Sequence, residues 1–360
     1  MRRALALAAR GKCTTQPNPR VGCVLVRDGA NGPQMVGEGW HQRAGEPHAE
    51  VFALRMAGER ARGADAYVTL EPCAHHGRTP PCADALIAAG VARVFVAVGD
   101  PHPQVAGAGF AKLRAAGIAC ESGLLEAEAR ELARGFLSRI ERKRPFITLK
   151  LAMSLDGRTA MASGESRWIT GDEARADVHR LRAEAGAVLT SSDTVLADDP
   201  ELSVRLPQAD EESWRQPDRI VLDSRARVSA SAKVWTGTAR RFWLTASAAN
   251  APEGVETAVL PRDADGHVSL SAALAYLAAR DVNEVLVECG PRLAGSFLRA
   301  GLVDELVVYT APKLLGDAAR GLVHLPGLER LADHVALQFT SAEFIGHDLK
   351  ITARIAGRES

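Results

Sequence analysis

The feature that most constrains the fold of this 360-residue chain is an alternation of strand-like and helix-like runs along nearly its whole length. Val21 to Val26 and Met35 to Trp40 read as a strand pair about a glycine-bearing turn at 29–32, and Ala49 to Ala57 has helical spacing. Ala66 to Leu70 reads as a strand, Cys82 to Ala89 as a helix closed by Gly90, and Val94 to Val98 as a further strand. Phe110 to Ala116 is helical in spacing, Ile118 to Glu121 extended, and a charged helix is expected from Leu125 to Ile140. Strands separated by helices need crossover connections, so the expectation is a layered α/β fold.

Glu141-Arg142-Lys143-Arg144-Pro145 is a charge cluster closed by a proline, the expected junction between a first domain, 1–144, and a second, 145–360. The same basic residues would also suit a helix C-terminus. Beyond it, strands are expected at Phe146 to Met153, Ala187 to Thr190, Ile220 to Asp223, Phe242 to Thr245, Glu284 to Glu288 and Glu305 to Tyr309. Helices are expected at Asp172 to Glu184 and Leu270 to Ala279, a final hairpin from Val335 to Ile355 about Gly346-His347-Asp348, and polar loops at 206–218 and 247–267. No internal repeat relates the halves, so two different α/β domains are joined.

Composition narrows the function. The 44 basic and 44 acidic residues cancel, so no net field draws the chain to nucleic-acid phosphates or an anionic membrane, while a small anionic substrate is allowed. No stretch reaches the about 18 apolar residues of a bilayer-spanning helix. The run from Met1 to Ala9, cut short by Arg10 and Lys12 with no cleavage site, reads as an amphipathic helix ended at Gly11 and not as a secretion signal. Six cysteines are too few for a disulfide scaffold, so a reducing, cytoplasmic setting is expected, with some thiols free to bind metal.

His48-Ala49-Glu50 sits where the turn Gly45-Glu46-Pro47 opens a helix; a strand then delivers Glu71-Pro72-Cys73, and Cys82 heads the next helix. One imidazole and two thiolates are three ligands for a tetrahedral Zn2+, one per chain, with the fourth position left for water as catalytic zinc requires. Glu50 is placed to shuttle a proton while activated water attacks an amino-bearing ring carbon and ammonia leaves. The pattern is that of zinc deaminases, H-x-E followed by P-C-x-x-C, except that eight residues instead of two separate the cysteines. That longer loop carries His75 and His76, either of which could supply a fourth ligand to a purely structural zinc. Cys13, Cys23, Cys120 and Cys289 lack ligand spacing and read as small buried hydrophobes.

Asn18-Pro19-Arg20-Val21-Gly22 places a carboxamide before a strand, and Asp100-Pro101-His102-Pro103 follows a strand end, where open α/β sheets place ligand groups. Each also reads as a plain turn. Taken with the metal motifs, with Lys150-Leu151-Ala152-Met153-Ser154-Leu155-Asp156-Gly157-Arg158, with Asp198-Asp199-Pro200 and with Glu288-x-Gly290-Pro291, they give a chain that resembles the bifunctional deaminase/reductases of bacterial riboflavin biosynthesis over nearly its whole length.

The resemblance implies a cytidine-deaminase-like N-terminal domain acting on a small phosphorylated pyrimidine, a diaminopyrimidinone that carries a phosphoribosylamino group. It implies a dihydrofolate-reductase-like C-terminal domain that uses NADPH to reduce the ribosyl group to ribityl, and a homodimer. It makes His48, Cys73 and Cys82 the zinc ligands and Glu50 the proton shuttle, with Asn18, His41, Arg78 and Asp100 near the first substrate. In the second domain Lys150 and Glu288 are the ionisable groups at the reacting sugar. Ala152, Trp168, Thr194, Asp198, Ser224 and the stretch Gly290, Pro291, Arg292, Leu293, Ala294, Gly295 and Ser296 approach NADPH. Ser166, Arg182, Leu202, Arg205 and Glu288 approach the substrate.

The residues by themselves also admit plainer accounts. Lys150 could be a surface lysine on an edge strand, and Arg182 a solvated charge on a helix, although both Arg182 and Arg205 suit bidentate binding of a phosphate. Gly290 to Ser296 follows a strand and opens a helix whose N–H groups could hold a pyrophosphate, but it has neither a P-loop lysine nor G-x-G-x-x-G spacing. Gly107-Ala108-Gly109 lacks a third glycine at the required distance. Two other functions compete. A deaminase of nucleic-acid bases with an accessory second half is opposed by the zero net charge. A catalytically inactive nucleotide-sensing protein is opposed by the intact set of His48, Glu50, Cys73, Cys82, Lys150 and Glu288.

Overall fold

The computed structural model describes residues 1–30, 32–75, 80–102, 106–206 and 214–356. The chain forms two compact units, Met1–Arg144 and Pro145–Ser360.

In the first unit a five-stranded sheet is built from β1 (Gly22–Gly29), β2 (Gly32–Trp40), β3 (Asp65–Leu70), β4 (Arg93–Val98) and β5 (Ala119–Ser122), in the order β2-β1-β3-β4-β5. β1 is antiparallel to both its neighbours, whereas β3, β4 and β5 are parallel. The helices are α1 (Arg2–Ala9), α2 (Ala49–Ala57), α3 (Cys82–Ala89), α4 (Ala108–Ala115), α5 (Glu126–Leu132) and α6 (Arg134–Arg142). Strand residues alternate between faces. Cys23, Leu25, Val68, Val94 and Val96 share one face and pack on Ala49, Ala53, Leu86 and Leu113, while Leu70, Ala97 and Val98 at the ends of β3 and β4 join a second cluster with Phe136 and Leu137. The alanine-rich face of α2 lies so close to β2 that a Cβ on Gly37 would stand 2.2 Å from the Ala53 carbonyl oxygen. This close approach sets the depth at which α2 carries Glu50. The charged segment expected as one helix is interrupted once, at Ala133 (φ −96°, ψ 9°), between α5 and α6. Its buried stripe of Ala129, Ala133, Phe136 and Ile140 still continues across the break.

The second unit holds a nine-stranded sheet and a small two-stranded one. Its strands are β6 (Phe146–Ser154), β7 (Arg158–Ala160), β8 (Ala187–Ser191), β9 (Asp218–Asp223), β10 (Arg241–Thr245), β11 (Glu256–Val259), β12 (Glu284–Glu288), β13 (Glu305–Ala311), β14 (Arg320–Gly321), β15 (Leu337–Ile345) and β16 (Asp348–Ile355). The large sheet runs β11-β10-β9-β8-β12-β6-β13-β16-β15, with β7 and β14 forming the small one. Strands β11 through β13 in that order are parallel, and β16 and β15 close the sheet antiparallel. Helices α7 (Asp172–Ala185), α8 (Ser192–Asp198), α9 (Leu270–Ala278) and α10 (Pro291–Arg299) cover the faces. Because parallel sheets are buried on both sides, their strands read as unbroken apolar runs; β9 and β13 are buried at every position.

Parity decides what each strand offers. Ile147, Leu149, Val285 and Val287 face Leu274, Leu277 and Phe297 of α9 and α10; Val307 and Tyr309 face Ala174 and Val178 of α7. Lys150, between Leu149 and Leu151, therefore points to the α7 side. Strand β6 lies inside the sheet between β12 and β13, so the reading of Lys150 as an edge-strand surface lysine is overturned. The loop expected at 247–267 contains β11, whose four residues are too few to show a repeating pattern by themselves. Among the described residues no helix is long and apolar enough to cross a membrane.

Candidate active sites

In the first unit the N-terminus of α2, the end of β3 and the N-terminus of α3 converge. His48 is the N-cap residue of α2 and Cys82 the first residue of α3. His48 Nδ1 lies 3.2 Å from Cys82 Sγ and 3.7 Å from Cys73 Sγ, and the Cys82 N–H points at Cys73 Sγ at 3.3 Å. The three potential ligand atoms all fall within 4.8 Å of one another. The Cys82 thiol, then His48, lower the pKa of Cys73 by hydrogen bonding, whereas Cys82, hydrogen-bonded to that sulfur and buried, is pushed up. This donor set fits a zinc ion with one position open to water. His75 is exposed and outside the cluster; His76 and Arg78 lie outside the described residues.

Glu50 follows on the first turn of α2 and is 3% exposed. Among the described residues its Oε2 has no hydrogen-bond partner, and burial raises its pKa. A buried carboxyl oxygen with no protein partner, beside three metal-binding atoms, is suited to exchange a proton with a guest. Asn18 Nδ2 donates to His41 Nε2 at 3.0 Å, leaving the His41 Nδ1–H to donate to the Pro47 carbonyl at 3.1 Å. His41 is thus fixed as the neutral tautomer, in keeping with the lowering of its pKa by burial. Its ring stands edge-on to His48, 5.4 Å between centroids.

The sequence reading gave Glu71 no task, and the structure supplies one. Its Oε2 accepts the N–H groups of Asp100 and Gly107, both at 3.2 Å, and its Oε1 those of Gly109 at 3.0 Å and Phe110 at 3.3 Å. One carboxylate at the end of β3 thereby fastens both ends of the segment following β4 and so places Asp100, whose pKa is raised by burial. Gly109 is required by this packing: a Cβ there would lie 2.1 Å from the Pro72 carbonyl oxygen. The local motif Glu71-Pro72-Cys73 gives no hint of donors that lie 29 to 39 residues away.

In the second unit β6 and β12 bring Lys150 directly opposite Glu288. Arg182, from α7, grips Glu288 with both forks, Nε to Oε1 at 2.6 Å and Nη2 to Oε2 at 3.0 Å, and donates Nη1 to the Ser203 carbonyl at 2.9 Å. Its side chain is 12% exposed, so the reading of Arg182 as a solvated surface charge is overturned. Its bidentate face is committed to a carboxylate; of the two guanidinium groups considered for phosphate, Arg205 is the exposed one. Burial works against the Glu288 carboxylate, but Arg182 and then Lys150 hold its pKa below the ordinary range. Lys150 is lowered by burial, a shift that Glu288 opposes and Arg182 reinforces. Among the described residues Lys150 Nζ has no ion pair or hydrogen bond; it stands over the Tyr309 ring, 5.6 Å from the centroid.

A cavity of about 270 Å³ opens at the carboxyl ends of β8 and β9 beside the start of α10, lined among others by Ser192, Ser224, Arg225, Arg292, Leu293 and Ser296. Gly290 is the N-cap of α10 and Pro291 its first residue, an arrangement that leaves unpaired N–H groups for an anion. Arginines and helix N–H groups beside a strand-end cavity fit the phosphates of NADPH. Ala294 and Gly295 face the interior instead; a Cβ on Gly295 would meet the His324 carbonyl oxygen at 1.9 Å. Thr194 donates its N–H to Ser191 Oγ at the cap of α8, Asp198 Oδ1 is 3.3 Å from Arg167, and Trp168 is 63% exposed under the guanidinium of Arg175. Ala152 lies on β6 in the α7-facing cluster, Leu202 is buried and Ser166 is half-buried just before the turn at Arg167.

Residues 1–98 match the family model of the cytidine and deoxycytidylate deaminase zinc-binding region, and residues 145–351 that of the RibD C-terminal domain. Fold and sites together define a class, a zinc deaminase joined in one chain to a reductase. The chain is 55% identical over 360 residues to the riboflavin biosynthesis protein RibD of Escherichia coli (strain K12), covering 97% of this chain and 96% of the relative. A solved structure of Acinetobacter baumannii RibD is similar with a TM-score of 0.90 at 43% identity, covering 99% of this chain and 97% of that one. A diaminohydroxyphosphoribosylaminopyrimidine deaminase/5-amino-6-(5-phosphoribosylamino)uracil reductase from Thermotoga maritima has a TM-score of 0.86 at 36% identity, with the same coverage of 99% and 97%. The chain belongs to the RibD family: it is a bifunctional riboflavin-biosynthesis enzyme, a deaminase that uses zinc and a reductase that uses NADPH.

Proposed function

We propose that the chain deaminates 2,5-diamino-6-(5-phosphoribosylamino)pyrimidin-4(3H)-one within residues 1–144 and then, within 145–360, reduces the ribosyl group to give 5-amino-6-(5-phosphoribitylamino)uracil. The observation that carries this reading is the pairing, in one chain, of a buried Glu50 oxygen beside a His/Cys/Cys cluster with a half-buried lysine beside a strand-end carboxylate, neither the oxygen nor the lysine having a hydrogen-bond or ion-pair partner among the described residues.

In the first step His48, Cys73 and Cys82 would hold zinc, which would supply Lewis-acid activation of the attacking water. Glu50 takes a proton at Oε2 and delivers it to the departing ammonia. Asn18, His41 and Asp100 orient the pyrimidine and its ribosyl group, and Arg78 meets the phosphate. In the second step the start of α10 and the cavity beside it would hold NADPH, which would supply hydride to the sugar. Lys150 holds at Nζ the proton that converts the released ring oxygen to a hydroxyl. Glu288, ionised and clamped by Arg182, keeps negative charge beside that ammonium. Arg205, Ser166 and Leu202 line the substrate side, and Ala152, Trp168, Thr194, Asp198, Ser224 and the start of α10 line the cofactor.

A homodimer is supported by the terminal strand β15, which exposes Phe339 and Phe344 at 70% and 77%; an uncovered apolar edge of this kind invites pairing. A cytoplasmic setting is supported by six free cysteines. The test is a two-stage assay on zinc-loaded protein with the phosphoribosylamino substrate. Stoichiometric ammonia without NADPH, followed by NADPH oxidation on its addition, supports both steps and their order; oxidation before ammonia release refutes the order.

A further inference from the structure

We propose that Tyr309 is a positioning residue for the Lys150 ammonium, anchored in turn by Asp177 and Lys350; this rests on the reading of Lys150 as proton donor. The strand register places the residues involved. On the face of the large sheet covered by α7, Glu288, Lys150 and Val307 form one row across β12, β6 and β13. Ala152, Tyr309, Lys350 and Glu343 form the next, across β6, β13, β16 and β15. Tyr309 is 1% exposed, and its ring is the group over which Lys150 Nζ stands, at 5.6 Å.

The far end of the same side chain is tied down. The Tyr309 hydroxyl donates to Asp177 Oδ2 at 2.6 Å. Lys350 Nζ is 2.8 Å from that same oxygen and 3.5 Å from Glu343 Oε1. Two lysines on one sheet face are therefore treated oppositely. Lys350 has two carboxylates, whereas the carboxylate opposite Lys150 is occupied by Arg182. An aromatic face attracts a cation without neutralising it and without accepting its proton, so it can fix an ammonium that must still donate. The charged groups acting on Lys150 are Glu288 from β12 and Arg182 from α7. Asp177, Lys350 and Glu343 lie at the hydroxyl end of the ring, and His179 of α7 acts on Glu288.

The test uses the full-length protein as Tyr309→Leu, Tyr309→Phe and Lys150→Ala, with ammonia release and thermal midpoint as controls of folding. Tyr309→Leu is expected to lower kcat of the reduction about tenfold with KM for NADPH unchanged, because the ring acts on the ammonium and not on cofactor binding. The basic limb of its kcat–pH profile moves to lower pH, since the charged form loses its attraction to the ring. Tyr309→Phe keeps the ring and recovers most of both. If the leucine variant unfolds, Tyr309→Met, whose longer and unbranched side chain adapts to the space left by the ring, carries the same comparison. Wild-type kcat and limb in the folded non-aromatic variant, with Lys150→Ala inactive, overturn the positioning role. Full reduction by Lys150→Ala overturns the reading of Lys150 itself.

Discussion

Lys150 and Glu288 stand opposite each other on adjacent parallel strands, yet both carboxylate oxygens of Glu288 go to Arg182 and none to Lys150. A lysine that loses its nearest carboxylate to a stronger, bidentate partner keeps a mobile proton, whereas an ion-paired lysine does not. Lys150→Ala should abolish NADPH oxidation and leave ammonia release at the wild-type rate, measured on the same preparation.

The stability of the second unit should carry the cost of that arrangement. Burial lowers the pKa of Lys150 from its ordinary 10.5, so in the window between the lowered value and 10.5 the unfolded chain binds the proton more readily than the folded one. Stability therefore rises with pH through that window. Lys150→Met should raise the thermal midpoint at neutral pH, and the gain should shrink as pH approaches 10.5. A gain that grows with pH would contradict the linkage.

Removing Arg182 takes from Glu288 its bidentate partner and leaves only Lys150 beside the carboxylate. Arg182→Met should destabilise the second unit by about 3–5 kcal/mol and abolish reduction. Arg182→Met combined with Glu288→Leu should recover much of the stability but none of the reductase activity, read by denaturant unfolding and NADPH oxidation.

Glu50 and the metal ligands should separate cleanly. Glu50→Gln keeps a neutral side chain of the same shape beside the intact ligands, so zinc content should stay at the wild-type level while ammonia release falls by about 10²–10⁴-fold. Cys73→Ser should lose zinc and deamination together, and chelation of the wild type should stop ammonia release while NADPH oxidation with the deaminated substrate continues.

Glu71→Gln puts an amide NH2 against backbone N–H donors that now share a carboxylate. The expected loss is about 1–3 kcal/mol for the buried donors left unpaired, together with a raised KM for the deaminase substrate as Asp100 is released. Reductase constants should not change.

The sequence determined what periodicity and local chemistry can encode. Apolar runs of strand length, the closing glycine of α3, and the spacing of His48, Glu50, Cys73 and Cys82 report on residues near one another in the chain, and they read directly as layered α/β sheets and a three-ligand metal site. Other features depend on groups far apart in sequence, which no local pattern records. That Lys150 lies on an interior strand, that Arg182 is an ion-pair partner of Glu288 across 106 residues, that Glu71 fastens the segment bearing Asp100, and that Tyr309 stands between two lysines all follow from strand order and register. Only the folded sheet sets those, because parity fixes which face a side chain takes while the topology alone decides which neighbour it finds there.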